Sequence, residues 1–253
     1  MSQIVLTALP DIPLVKQGEN VAALILNGLK NAGGALQTHD VIVLASKIVS
    51  KAQGRMVQLD TVKPSARAIE LAATSDKDAR EIELMLQESD AVVRARKGLI
   101  ITRHRLGFVS ANAGIDHSNV ADGTAESVLL LPREPDATAQ QIREELERAS
   151  GAEVAVIIAD SHGRPHRLGT VGIAIGSAGL PALEDWRGRH DLFGYELKYT
   201  DIGLADMLAS AATLLLGQAS EGTPIVHVRG ATWNGPAGTA RDLVRPAELD
   251  LFP

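Results

Sequence analysis

The run Val41-Ile42-Val43-Leu44-Ala45 is followed directly by Ser46-Lys47-Ile48-Val49-Ser50-Lys51. Its continuous apolarity, rich in β-branched residues, predicts a strand that is buried on both faces of a sheet. Similar runs predict three further strands, at Leu99 to Thr102, Val154 to Ala159 and Ile225 to Val228. Polar side chains follow two of these strands immediately, and ligands of sheet proteins commonly bind at such strand ends.

Helical patterns lie between the strands. Asn20 is predicted to cap a first helix, and Thr138 with Gln141 forms a capping box that predicts the start of another. Two more helices are predicted at Ser65 to Ala73 and at Ile202 to Leu216. The strongly charged segment Asp76 to Glu88 predicts a solvated helix that lies outside the core.

Two segments rich in Gly, Asn, Asp, Arg and His are predicted to be long polar loops. They run from Ser110 to Leu131 and from Ser161 to Lys198. Loops of this length in compact proteins are often functional. A subdomain boundary is predicted near residue 150, where a capped helix ends and an apolar strand begins, within a single unit of residues 1–253.

The composition excludes several classes of protein. The chain has 253 residues, 45% of them hydrophobic, and a net charge of -6, so we expect a globular protein that does not bind nucleic acid through a basic surface. No apolar stretch is long enough for a membrane span and no secretory signal is present, so we expect a cytoplasmic protein. Because the chain has no cysteine, a metal must be held by oxygen or imidazole, which favours Mg²⁺ or Mn²⁺.

The strand ends at Ser46 and at Asp160 each have two interpretations. Ser46 and Lys51 suit a phosphate group, although an exposed turn with solvated lysines is the simpler interpretation of their spacing alone. Asp160 and Ser161 suit a hard metal ion that contacts phosphates, whereas a strand-terminal Asp also suits a turn cap.

Two further stretches carry candidate ligands. Asp116 and Asn119 stand three residues apart among small residues, where they suit either a metal and a nucleotide or an Asx-rich turn. Gln218 and Glu221 offer oxygen ligands just after Gly217, which itself has the character of a helix C-cap. The histidines of the segment after Asp160 lack a third ligand at zinc spacing, so they are interpreted as hydrogen-bonding residues.

Taken in order, these stretches resemble the coenzyme F420-0 γ-glutamyl ligase family from Leu9 to about Gly230, nearly the whole chain. The individual matches are short, and their ordered combination is specific. They are Asp11-Ile12-Pro13-Leu14, Ala45-Ser46-Lys47-Ile48-Val49-Ser50-Lys51, Gly114-Ile115-Asp116-His117-Ser118-Asn119-Val120, Asp160-Ser161-His162-Gly163-Arg164-Pro165, Ala174-Ile175-Gly176, Asp185-Trp186-Arg187-Gly188-Arg189 and Pro224-Ile225-Val226-His227-Val228-Arg229-Gly230.

The resemblance implies roles for the residues that match. It implies that Asp116 and Asp160 hold a first divalent ion, and that Ser161 and Gln218, which replace Thr and Glu of some relatives, belong to a second. The residues implied to bind the nucleotide are Asp11, Ile12, Pro13, Leu14, Ser46, Lys51, Asn119, Gln218 and Glu221. Lys51, Asp116 and Asp160 are thereby the candidate catalytic residues, while either Arg164 or Arg167 is left as the group that binds a substrate anion.

The same resemblance implies a function and a fold. It implies ligation of L-glutamate to the phospholactyl carboxylate of coenzyme F420-0, with GTP as cosubstrate, two Mg²⁺ or Mn²⁺ ions per subunit and K⁺ as a further ion. It also implies an α+β γ-glutamyl ligase fold of mixed, largely antiparallel sheets with flanking helices, built as two interwoven subdomains in a homodimer. The alternatives are a ligase for another acceptor such as a folate-like molecule, a non-catalytic GTP-binding regulator, and a metal phosphohydrolase.

Overall fold

The structure is a computed structural model that describes residues 3–120 and 126–250. Its strands are β1 Val5–Ala8, β2 Val41–Ala45, β3 Met56–Gln58, β4 Ser89–Arg96, β5 Leu99–His104, β6 Val109–Ala111, β7 Ser127–Leu129, β8 Ala155–Arg164, β9 Arg167–Ala178, β10 Glu184–Asp185, β11 Asp201–Ile202 and β12 Ile225–Arg229. Its α-helices are α1 Val21–Asn31, α2 Ser46–Ala52, α3 Ala66–Ser75, α4 Ala79–Gln87, α5 Pro135–Ser150 and α6 Leu204–Leu216. The four strands predicted from apolar runs are all confirmed.

The main sheet has five strands in the order β1-β12-β2-β8-β9. β2 and β8 are parallel neighbours, with Ala45 opposite Ala159, and the other pairs of this sheet are antiparallel. The carboxyl end of β2 therefore lies beside the middle of β8, which continues to Arg164. β2 is buried along almost its whole length, as its continuous apolarity predicts.

Helices cover both faces of the main sheet. The apolar sides of α1, α2 and α5 pack on one face around Ile42, Leu44 and Ile158. The other face packs Val43 and Ile157 against the small residues of α6. Burial of apolar side chains on both faces explains why this sheet lacks alternating polar residues.

A second group of elements forms its own core beside the main sheet. The three-stranded sheet β4-β5-β6 and the antiparallel pair β3-β7 pack with α3 and α4 around Ile82, Met85 and Ile100. This group supplies the loop from Ala111 to Val120, which approaches the end of β8. The predicted α+β class with largely antiparallel sheets is confirmed. The subdomain boundary near residue 150 stays a prediction.

Two helix predictions were wrong in detail. The helix assigned to a capping box at Thr138 begins at Pro135, because proline has a fixed backbone angle that suits a first helical position. Thr138 lies inside α5, and its hydroxyl donates to the carbonyl of Glu134 at 2.8 Å. The segment Asp76 to Glu88 is also not a solvated helix, since α4 buries Ile82 and other apolar side chains in the second core.

The segment Ser161 to Lys198 was predicted to be a long polar loop, and much of it is a β-hairpin. β8 continues through Asp160 to Arg164 and returns as β9, which is twelve residues long. Backbone pairing across the hairpin outweighs the local preference of glycine and charged residues for loops. Among the described residues, no helix combines the length and apolarity that crossing a membrane requires.

Candidate active site

A cavity of about 1290 Å³ opens where β2 ends beside the middle of β8. Six segments line it: the chain after β1, the turn from β2 into α2, the chain from α2 into β3, the loop that precedes β7, the middle of β8, and the end of α6 with the loop that follows it. Its size exceeds the roughly 300–1,000 Å³ of a typical single-ligand pocket. The cavity is therefore large enough for two substrates together.

Asp160 and Ser46 meet at the floor of this cavity. The register that pairs Ala45 with Ala159 places the next residue of each strand side by side. The Ser46 hydroxyl donates to Asp160 Oδ1 at 2.8 Å. Asp160 is thus held by a hydrogen bond to the neighbouring strand end, while it also lines the cavity.

Asp116 enters the cavity from the other group of elements. Its backbone N–H and carbonyl both pair with Leu129, at 3.0 and 2.9 Å, which ties its loop to β7. Its carboxylate forms an ion pair with the Lys47 ammonium. Burial raises the pKa of Asp116, Lys47 opposes this change, and the negative charge of Asp160 adds to it. Asp116 and Asp160 line the same cavity, where their negative charges oppose one another.

The loop after α6 forms the opposite wall. α6 ends at Gly217, and Glu221 accepts backbone hydrogen bonds from Gln218 and Ala219 at 3.1 and 2.7 Å. The Ser161 hydroxyl donates a hydrogen bond to Gln218 Oε1 at 3.0 Å. Two neutral oxygen atoms that could ligate a metal ion therefore lie next to each other. Glu221 stabilises the loop through its backbone contacts, and these contacts lower its pKa.

Asn119 fastens the Ala111 to Val120 loop to this same wall. Its side-chain N–H donates to the carbonyl of Ala219 at 2.7 Å, and its own backbone adopts a left-handed conformation with φ of 57°. An asparagine tolerates this conformation better than most residues. The contact brings the loop that carries Asp116 against the loop that carries Gln218.

The oxygen-bearing side chains of the cavity are suitable ligands for a hard divalent cation. Asp116, Asp160, Ser161 and Gln218 all line the cavity. Among residues 3–120 and 126–250, no group of three or more Asp, Glu, His or Cys side chains converges on a metal position. Two carboxylates with neutral oxygens suit Mg²⁺ or Mn²⁺, because such ions usually complete their coordination with water and substrate phosphates. A site for zinc, with its nitrogen and sulfur ligands, does not fit these residues.

Most of the residues predicted to bind a nucleotide share the cavity. Ile12, Pro13 and Leu14 line it, as do Ser46, Lys51, Asn119, Gln218 and Glu221. Burial and the nearby charge of Lys47 lower the pKa of Lys51. Asp11 is not among the lining residues; its carboxylate accepts a long hydrogen bond of 3.5 Å from Asn31.

Two residues to which the sequence assigned no place among the site residues also make contacts there. Lys47 pairs with Asp116, and His162 lies buried behind Asp160, with Nε2 3.1 Å from Oδ2. Lys47 follows a strand end, which was a usable signal, whereas the burial of His162 depends on packing alone. Arg164 and Arg167 do not line the cavity, because both lie at the tip of the β8-β9 hairpin.

Comparison with known proteins gives one consistent result. The family model described as F420-0:γ-glutamyl ligase matches residues 11–230. Curated relatives named coenzyme F420:L-glutamate ligase include the protein of Methanothermobacter thermautotrophicus, 45% identical over 98% of this chain and 98% of its own length. Those of Methanocaldococcus jannaschii and Archaeoglobus fulgidus are 43% and 40% identical, over 96% and 95% of this chain and 94% and 93% of their own lengths.

These matches extend across both cores and include every segment that lines the cavity. The predicted family is confirmed, and the chain belongs to the F420-0:γ-glutamyl ligase family.

Proposed function

We propose that this chain is a GTP-dependent ligase that joins L-glutamate to the phospholactyl carboxylate of coenzyme F420-0 and then adds successive γ-linked glutamates in the cytoplasm. The observation that carries the proposal is that Asp116 and Asp160 line one large cavity together with Ser46, Lys47 and Lys51. The names of the relatives support the acceptor and the amino acid.

The proposed chemistry has two steps. An oxygen of the acceptor carboxylate forms a bond to the γ-phosphorus of GTP, the bond to the β-phosphate oxygen breaks, and GDP leaves. The glutamate amine then attacks the carbonyl carbon of the acyl phosphate, inorganic phosphate leaves with the C–O electron pair, and the amine loses a proton. Neither step needs a nucleophilic side chain, so positioning and charge neutralisation are the main tasks of the protein.

The residues of the cavity suit these tasks. Asp116 and Asp160 would hold one Mg²⁺ or Mn²⁺ ion, and Ser161 with Gln218 would contribute to a second. Such ions neutralise phosphate charge when bound, and K⁺ is proposed as a further ion near the phosphates. Lys51 would contact the phosphates, while Asp11, Ile12, Pro13, Leu14, Ser46, Asn119, Gln218 and Glu221 would bind the rest of the nucleotide.

We also propose that the chain acts as a homodimer. The segment from Trp186 to Tyr199 holds four of the seven aromatic residues of the chain, and Leu192, Phe193 and Tyr199 are 97, 95 and 90% exposed. Apolar side chains gathered on one protruding segment are typical of an interface between protein chains. Light scattering after gel filtration should give twice the mass of the chain, and Phe193→Ser should reduce it.

The function is tested by incubating the purified protein with Mn²⁺, GTP, glutamate and coenzyme F420-0. Phosphate release is measured while one component at a time is left out, and the product is analysed by mass spectrometry. We expect phosphate release to require both glutamate and acceptor, and the product to gain the mass of one or more glutamyl groups. Replacing GTP by ATP, the acceptor by a folate, and K⁺ by Na⁺ tests each specificity.

The matched variants are Asp116→Asn and Asp160→Asn, with Asp76→Asn as control. Asp76 is an exposed carboxylate outside the cavity that pairs with Lys97. The first two changes should abolish product formation, and the third should leave it unchanged. Phosphate release without glutamate would instead indicate a phosphohydrolase, and GTP binding without turnover would indicate a regulator.

A further inference from the structure

His162 contacts the rear of the Asp160 carboxylate. The two residues are two apart on β8, so their side chains leave the same face of the strand. Asp160 Oδ1 accepts the hydrogen bond from Ser46, and Oδ2 lies 3.1 Å from His162 Nε2. Each oxygen of the carboxylate thus has one potential donor beside it.

The position of the His162 ring is fixed by aromatic packing. Phe108 meets the His162 ring edge-on, with 4.9 Å between the ring centroids. Phe108 also stacks on the ring of His104, with 5.2 Å between their centroids. His162 is only 7% exposed and does not line the cavity. The ring therefore does not face the substrates of the cavity, and its contact with the site is through Asp160.

The Nε2 atom of His162 is buried and makes no well-aligned hydrogen bond. Leaving such an atom unpaired costs about 1–3 kcal/mol, which a purely packing role does not explain because an apolar residue would avoid the cost. Nε2 already lies 3.1 Å from Asp160 Oδ2, so this contact lacks the alignment of a hydrogen bond and not the distance. Hydrogen bonds of this kind are often poorly aligned in ligand-free sites and tighten when the ligands bind.

We propose that His162 is a positioning residue that donates its Nε2–H to Asp160 Oδ2. Together with the Ser46 hydroxyl, it fixes the orientation of the carboxylate, whose remaining lone pairs face the cavity and a divalent cation. The inference deepens the proposed function, because it rests on Asp160 as a metal ligand. Loss of a group that orients a metal ligand typically weakens metal binding about 10- to 100-fold.

The test compares His162→Gln with His162→Met. Gln and Met have nearly the same length and shape, but only Gln carries an N–H group near the position of Nε2. Mn²⁺ binding is followed by electron paramagnetic resonance in the absence of nucleotide, and kcat and KM are measured separately. We expect His162→Met to raise the Kd for Mn²⁺ about 10- to 100-fold and His162→Gln to restore binding close to that of the unmodified protein.

Several results would overturn the inference. Equal weakening by Gln and Met would show that the ring serves packing only, and unchanged binding in both would show that Asp160 needs no such support. If the unmodified protein binds no Mn²⁺, the inference fails with the metal site. If it binds Mn²⁺ in a His162-dependent way but forms no glutamyl product, the inference stands and the proposed function fails.

A second measurement uses the unmodified protein, so it does not depend on whether a variant folds. Nitrogen-15 spectra of the histidine side chains in the unmodified protein report which ring nitrogen carries the proton. We expect the proton of His162 on Nε2, shielded from solvent exchange. A neutral ring with its proton on Nδ1 would leave no donor for Asp160 and would overturn the inference.

Discussion

Replacing Lys47 by Met should strengthen the binding of free Mn²⁺ while it weakens the binding of GTP. Lys47 forms its ion pair with Asp116, the carboxylate that is proposed to hold the cation. A metal ion must therefore displace the ammonium group before it can bind. Removal of Lys47 removes this competitor and makes the cavity more negative, so the two ligands should respond in opposite directions.

The size of each effect follows from the exposure of the pair. The side chains of Lys47 and Asp116 are 28 and 31% exposed, so solvent still screens the ion pair, and we assign it about 1 kcal/mol, the upper end of the range for exposed pairs. The Kd of Mn²⁺ should therefore fall by up to about fivefold. An ammonium group freed from Asp116 would face the proposed phosphates, and losing its contact of about 1.5–3 kcal/mol should raise the KM for GTP about 10- to 150-fold.

Isothermal titration with Mn²⁺ alone, followed by steady-state kinetics with GTP, measures both effects. Lys97→Met is the matched control, because Lys97 pairs with Asp76 in a highly exposed position and its loss changes the net charge equally. Weaker Mn²⁺ binding by Lys47→Met would refute the competition between the ammonium and the metal. An equal response of Lys97→Met would show that the effect comes from net charge alone.

Three further changes test the fold. Arg55→Met should lower the free energy of unfolding in urea by about 1–3 kcal/mol, because it removes the closest partner of the largely buried Glu88, 2.7 Å away, and leaves Arg105 at 3.3 Å. Burial lowers the pKa of His104 to about 4, so the unfolded chain binds a proton that the folded chain refuses, and stability should fall by about 3 kcal/mol as the pH drops from about 6.5 to about 4. His104→Asn should remove this loss in urea titrations across that range, and a slope that persists would contradict the assignment. Gly176→Ala should lower the melting temperature, because a Cβ there would lie 2.5 Å from the main chain at the start of α5, whereas Gly163→Ala has open space and serves as the control.

Sequence patterns predicted the structure correctly where a single effect, such as apolar burial or helix capping, decided the local conformation. The run Val41 to Ala45 could only be accommodated as a buried strand, and Asn20 caps α1 by accepting a hydrogen bond from Ala23 at 2.8 Å. Where charged residues conceal an apolar stripe, the prediction failed. In α4, Glu81 is buried beside Lys77 at 3.2 Å, so its charge does not indicate a solvated face.

The sequence by itself determined the buried strands, most helices, the absence of thiolate ligands and the ordered motifs that identify the family. Only the tertiary structure decided which side chains meet. Ser46 and Asp160 are 114 residues apart and make contact because of the register of two parallel strands. Lys47 forms an ion pair with Asp116, which belongs to the group of elements around the other core. Such contacts depend on long-range packing, and local patterns of apolar and polar residues do not encode that register.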